Sequence, residues 1–128
     1  MPPGGREEYR RRAEEPGTEI EEQRAGRTLV MAPQGRLDAR SAQDFGEQLL
    51  GRIDGGETSV VLDLSQIDFL GSAGLRVVLS AAKRLRDVDG QFAVCGLGER
   101  VREVFRVGGF DAIIDIHSDR PTALAKLR

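Results

Sequence analysis

The chain has 128 residues, which is room for one domain. Its 19 basic and 21 acidic side chains leave a net charge of −2 with the single His neutral, a balance that argues against a strongly basic nucleic-acid binder and offers no electrostatic attraction to an anionic membrane. One Cys excludes an intramolecular disulfide framework and a Cys-rich zinc site, and no apolar run approaches the ~18 residues that span a bilayer. The opening Met1-Pro2-Pro3-Gly4-Gly5 lacks the apolar stretch of a secretory signal, so a soluble cytoplasmic protein is the expectation.

Residues 1–17 read as a disordered tail. Pro2, Pro3, Gly4, Gly5, Pro16 and Gly17 surround the mixed-charge run from Arg6 to Glu15, and no Ile, Leu, Val or Phe is present to offset the cost of ordering. The domain is expected over residues 18–128. Thr28-Leu29-Val30-Met31-Ala32 reads as a strand, with an edge strand over Thr18 to Gln23 and a turn at Arg24 to Arg27. Ser41 and Asp44 resemble a capping box, after which Ala42, Phe45, Leu49 and Ile53 share one helical face up to Gly55-Gly56.

Ser59 to Leu64 is nearly all apolar, as a strand covered on both faces should be. Leu75, Val78, Leu79, Ala82 and Leu85 form a helical stripe that ends before Gly90. A strand over Gln91 to Cys95 follows, then a helix marked by Val101, Val104 and Phe105 and ended by Gly108-Gly109. A strand over Ala112 to Ile116 and a closing helix with Pro121 in its first turn complete the chain. The alternation predicts an α/β domain: a mixed, mostly parallel sheet with helices packed on it.

Ligands on such sheets bind beyond the carboxyl ends of the strands. Three segments qualify as loops there: Gln34 to Arg40, Ser65 to Gly74, and Gly96 to Arg100. Ser72 stands where the helical stripe begins and reads as its N-cap, accepting from the N–H of Gly74 or Leu75. Capping is the simpler role. The sharper one is a phosphate site, covalent or bound, at the positive end of the helix dipole. Gly71 and Gly74 keep the surface around the hydroxyl small, and Arg76 lies one turn along.

Other signals are weak. Gly96-Leu97-Gly98-Glu99-Arg100-Val101 has Val where a dinucleotide loop needs its third glycine. Gly71-Ser72-Ala73-Gly74 lacks the spacing of a nucleophile elbow, and His117 is the only His available to a serine triad. Asp38, Asp63 and Asp68 match no metal-site spacing, and Cys95 reads as a small buried hydrophobe.

Leu62-Asp63-Leu64-Ser65, Ile67 and Phe69-Leu70-Gly71-Ser72-Ala73-Gly74-Leu75 resemble the signature of the STAS domain of anti-sigma factor antagonists. Gly35-Arg36-Leu37-Asp38 resembles that family's earlier Gly-x-Leu-Asp segment, and the likeness runs over about residues 18–128. It implies a small α/β domain that binds a serine-kinase-type anti-sigma factor and so frees a sigma factor, with a serine phosphatase as a second partner. It implies no cofactor, no catalysis, and no direct contact with nucleic acid or membrane. The family's phosphorylated residue falls on Ser72 and its loop Asp on Asp38. Gly71, Ala73, Gly74 and Arg76 complete the implied partner surface. Many members carry Asp where this chain has Gly71, and Ser or Thr where it has Ala73. Two other readings stand beside this one: a scaffold subunit of a stressosome or lipid-transport complex, and a small-molecule-binding or hydrolytic enzyme.

Overall fold

Strands buried on both faces set the architecture. The computed structural model describes residues 19–127; the expected tail, Thr18 and Arg128 lie outside them. In chain order the elements are β1 (Ile20–Ala25), β2 (Thr28–Pro33), β3 (Gly35–Leu37), α1 (Ser41–Asp54), β4 (Ser59–Asp63), β5 (Ile67–Leu70), α2 (Ser72–Asp87), β6 (Gln91–Cys95) and α3 (Glu99–Val107). A 3-10 turn (Phe110–Ala112), β7 (Asp115–His117) and α4 (Arg120–Lys126) follow.

Five strands form the main sheet in the order β1-β2-β4-β6-β7. β1 runs antiparallel to β2, and every other pair is parallel. This is the mixed, mostly parallel sheet that the sequence predicts. The hairpin turn is tighter than expected, only Gly26-Arg27, with Gly26 at φ 62°. A positive φ at the first central residue suits a two-residue hairpin loop and costs glycine nothing.

Alternate residues of the central strands feed two cores. Leu29 and Met31 of β2, Val60 and Leu62 of β4, and Val94 of β6 join Phe45, Leu49, Val78, Leu85 and Phe105 of α1, α2 and α3. Val30, Val61, Ala93 and Cys95 face the other way and pack on Ala123 and Leu124 of α4. Covering both faces removes the polar half of the usual strand alternation, hence the continuous apolar run in β4.

Cys95 is fully buried in the smaller core, as its apolar strand predicts. Burial pushes its thiol up to about 12, with the Asp63 carboxylate adding to the effect. The thiolate is the reactive form, so native protein should resist aromatic disulfide reagents at pH ~8, whereas denatured protein, with a thiol near 8.5, should react at once. Absorbance at equal reagent concentration checks this.

A partly buried ion pair ties distant segments together. Asp63, at the end of β4, accepts from Arg120 Nε at 3.0 Å and lies 2.9 Å from Nη2 in the same ion pair, and its Oδ1 accepts from the Ser65 N–H at 2.9 Å. Arg120 also donates to Gln23 Oε1 at 2.5 Å. The start of α4 is thus fastened to β1 and β4, and the carboxylate of Asp63 is compensated as a buried charge must be.

Three sequence expectations need correction. Residues 34–40 and 65–74, expected as loops, contain β3 and β5, which pair in parallel as a separate two-stranded sheet. At three and four residues they are too short to show a period. Ala112 to Ile116, expected as one strand, divides into the end of the 3-10 turn and the start of β7, because pairing with β6 begins only at Asp115. Finally, α1 starts at Ser41 itself, after Arg40, so Ser41 is not the N-cap that the sequence reading makes it.

Candidate functional site

The small β3–β5 sheet assembles the site. Its register sets Leu37 against Leu70, and the Gly71 N–H extends the pairing by donating to the Leu37 carbonyl at 2.9 Å. Two chain segments more than thirty positions apart are thereby held side by side. One leads from β3 through Asp38 into α1, and the other leads from β5 through Gly71 into α2.

Asp38 supplies the acceptor at the start of α1. Its Oδ1 accepts from the N–H of Arg40 and of Ser41, both at 3.1 Å, and its own N–H donates to Ser41 Oγ at 3.0 Å. The Ser41 hydroxyl donates to the Arg36 carbonyl at 2.5 Å, closing the turn. The Ser41 N–H, above all, holds the Asp38 carboxyl below its ordinary value of 3.8, with Arg36 adding a favourable field. Capping and exposure coexist here, since Asp38 is only half-buried.

The acid dependence of Asp38 has a definite sign. Because its native carboxyl ionises at a lower pH than the unfolded one, the unfolded chain binds more protons between the two values, and stability rises with pH there. The contribution is complete above pH ~4 and is lost as pH falls through the native value. Asp38→Asn keeps an acceptor but cannot titrate. Its melting temperature should therefore fall less between pH ~7 and pH ~3 than that of the wild type, as calorimetry at the two pH values would show.

The N-cap of α2 is Gly71, extended at φ −88° and ψ 178°, and not Ser72. Ser72 is the first helical residue, exposed, and its hydroxyl caps nothing. The backbone pairing of Gly71 with Leu37 outweighs the capping preference of serine. As a result, the N–H groups of the first turn meet no side-chain acceptor among the described residues, no acidic residue occupies that turn, and the hydroxyl stands beside them.

Small residues surround Ser72 for different reasons. Gly74 is buried against β3 and β5: a Cβ there would lie 2.8 Å from Leu70 Cδ1, 2.9 Å from Leu37 Cβ and 3.0 Å from the Leu37 carbonyl. At Gly71 it would lie 3.1 Å from Phe69 Cε2. Ala73 is half-buried, and Arg76 is exposed one turn along from Ser72. The structure thus brings Gly71, Ser72, Ala73, Gly74 and Arg76 onto the start of α2 and sets Asp38 on the adjoining segment.

A further pair was not foreseen as part of the site. Arg36 of β3 lies over the ring of Phe69 of β5, 4.3 Å from its centroid. Both residues stand in motif segments of the sequence, but the pairing that unites them becomes visible only with the strand register. Elsewhere, His117 Nε2 is buried and approaches Asp115 Oδ2 at 3.2 Å without forming a hydrogen bond. No hydrogen bond joins Ser72 to His117, to a carboxylate or to any other side chain among the described residues. No described helix is long and apolar enough to cross a membrane.

A family model described as the STAS domain matches residues 19–123. The candidate anti-sigma factor antagonist BtrV of Bordetella bronchiseptica is 41% identical over 100 residues, which cover 78% of this chain and 86% of that one. Among solved structures, a candidate anti-sigma factor antagonist of Thermotoga maritima has a TM-score of 0.82 at 21% identity, over 85% of this chain and 94% of its own. The Bacillus cell fate determinant SpoIIAA, in its phosphorylated form, has a TM-score of 0.69 at 20% identity, over 86% of this chain and 100% of its own. At such identities the two structures speak for the fold, and the family match and BtrV speak for descent. With five main-sheet strands, the β3–β5 pair and four helices in place, the chain belongs to the STAS domain family.

Proposed function

We propose that this domain is an anti-sigma factor antagonist: it binds a serine-kinase-type anti-sigma factor in the cytoplasm and so frees a sigma factor. Phosphorylation of Ser72 switches it off, and a serine phosphatase restores it. Binding uses the surface made by Asp38, Gly71, Ser72, Ala73, Gly74 and Arg76. The carrying observation is Ser72 itself, an exposed hydroxyl at a helix start with open N–H groups, set beside Asp38 by the β3–β5 pair. The names of BtrV and of the Thermotoga and SpoIIAA relatives support the role, and SpoIIAA is a case in which this fold carries a phosphate.

In this reading the domain acts by binding. A hydrolase would need a base on the serine, and Ser72 has none within hydrogen-bonding distance among the described residues. Incubation with the cognate kinase and ATP, followed by phosphopeptide mapping, tests the reading. Phosphate on Ser72 is expected; phosphate on Ser65 or Ser80, or on no residue, overturns it.

A further inference from the structure

On the strand that holds Gly71, the guanidinium of Arg36 lies over an aromatic ring; the Asp38 carboxylate feels its field but forms no ion pair with it. The guanidinium of Arg36 lies over Phe69 at 4.3 Å and makes no hydrogen bond or ion pair among the described residues. The same ring reaches Gly71, where a Cβ would stand 3.1 Å from Phe69 Cε2 and 3.5 Å from Cζ. Arg36 and Gly71 therefore both lie against the Phe69 ring, and Ser72 is the next residue along the chain. A cation over a ring is held by the π face, so the five N–H donors of this guanidinium have no hydrogen-bond acceptor among the described residues. Such a planar fork matches two phosphate oxygens at once.

We propose that Arg36 is the internal counter-cation of phosphorylated Ser72, kept ready by Phe69; this rests on the reading of Ser72 as the phosphate acceptor. In that reaction the bond between the γ-phosphorus of ATP and its bridging oxygen breaks and a bond to Ser72 Oγ forms. The hydroxyl proton leaves to a base of the kinase, and ADP departs. The resulting dianion meets the open N–H groups of α2 and, across the side-chain-free Gly71, the guanidinium of Arg36. Arg76 is the rival cation. It is exposed, and neither a ring nor a carboxylate among the described residues fixes it, so it loses more side-chain freedom on pairing. Gly71 also matters by what it lacks, because a carboxylate there would compete for Arg36.

The test uses full-length protein with phosphoserine in place of Ser72, introduced during translation so that no kinase is required. Phosphorus NMR at low salt follows the second ionisation of the phosphate, ordinarily near 6. The wild-type background should titrate below that value, Arg36→Gln should raise the midpoint by about half a unit or more, and Phe69→Leu should raise it by a smaller amount. Arg76→Gln should leave it within about a tenth of a unit. An unchanged midpoint in Arg36→Gln, or an equal rise in Arg76→Gln, overturns the role of Arg36. Melting curves of unphosphorylated Arg36→Gln, expected to match those of the wild type, keep a loss of fold from imitating the shift. Because the phosphate is placed without a kinase, this failure is distinct from that of the Ser72 reading, which peptide mapping decides.

Discussion

Ser72→Glu is expected to fold normally and to bind the anti-sigma partner about 100-fold more weakly, a difference of ~2.7 kcal/mol. The fold should tolerate the charge because position 72 is the first residue of α2, where open N–H groups and the helix dipole favour an anion and no acidic residue is yet present. A slightly raised melting temperature is the expected sign. The cost falls on the interface. Gly71, Ala73 and Gly74 make the surroundings of the hydroxyl low and flat, so a partner that closes on them must strip water from the carboxylate. Pairing that carboxylate with Arg36 does not remove the cost, since the guanidinium would be desolvated as well. Ser72→Ala, in contrast, should bind constitutively and accept no phosphate. Calorimetric titration beside thermal melting checks both variants. Unimpaired binding by Ser72→Glu would sink the switch, and a clear drop in its melting temperature would transfer the effect from the interface to the fold.

Leu37→Ala is expected to cost about 2–5 kcal/mol, because Leu37 is fully buried and supports the contact that joins β3 to α2. Gly74→Ala should cost about 1–3 kcal/mol at the same contact by the opposite route, overpacking. Helix propensity favours Ala over Gly by up to ~1 kcal/mol, so the clash must exceed that gain for the prediction to hold. The two changes should not rescue each other. The added methyl would strike the Cβ and carbonyl oxygen of residue 37, and both remain in the Ala variant. A double-mutant cycle from denaturant unfolding measures the coupling. A double variant more stable than Leu37→Ala alone would show that Gly74 is small for some other reason.

The larger elements are legible in the sequence because each combines a period with a stop signal. Phe45, Leu49 and Ile53 announce α1, and Gly55-Gly56 ends it; Val78 and Leu85 announce α2. What stays hidden is set by register between distant segments. Serine is a good N-cap, so Ser72 reads as one, yet Gly71 takes the position because Leu37 lies opposite to accept its N–H. Asp38 reads as a loop residue, but its service to Ser41 is masked by the more familiar spacing of Ser41 and Asp44. Arg36 and Phe69, like Asp63 and Arg120, are partners that only the folded chain brings together. Ser72 and Asp38 are legible as candidate site residues through the family resemblance, whereas the Arg36–Phe69 pair is not.

The outer strands of the main sheet bear on a separate matter, the behaviour of the protein at high concentration. β2, β4 and β6 carry Thr28 to Pro33, Ser59 to Asp63 and Gln91 to Cys95, apolar segments of the kind that assemble into cross-β stacks when exposed. All three lie inside the sheet. At one rim β1 displays Glu21, Glu22 and Arg24, with Glu22 paired to Arg52 and Arg24 to Glu57. At the other, β7 is three residues long and starts with Asp115. An incoming strand would have to desolvate charged side chains at the first rim and would find little ladder at the second. The polar character of β1 thus protects against fibril growth, and loss of that hairpin would expose the aggregation-prone flank of β2 to the next molecule.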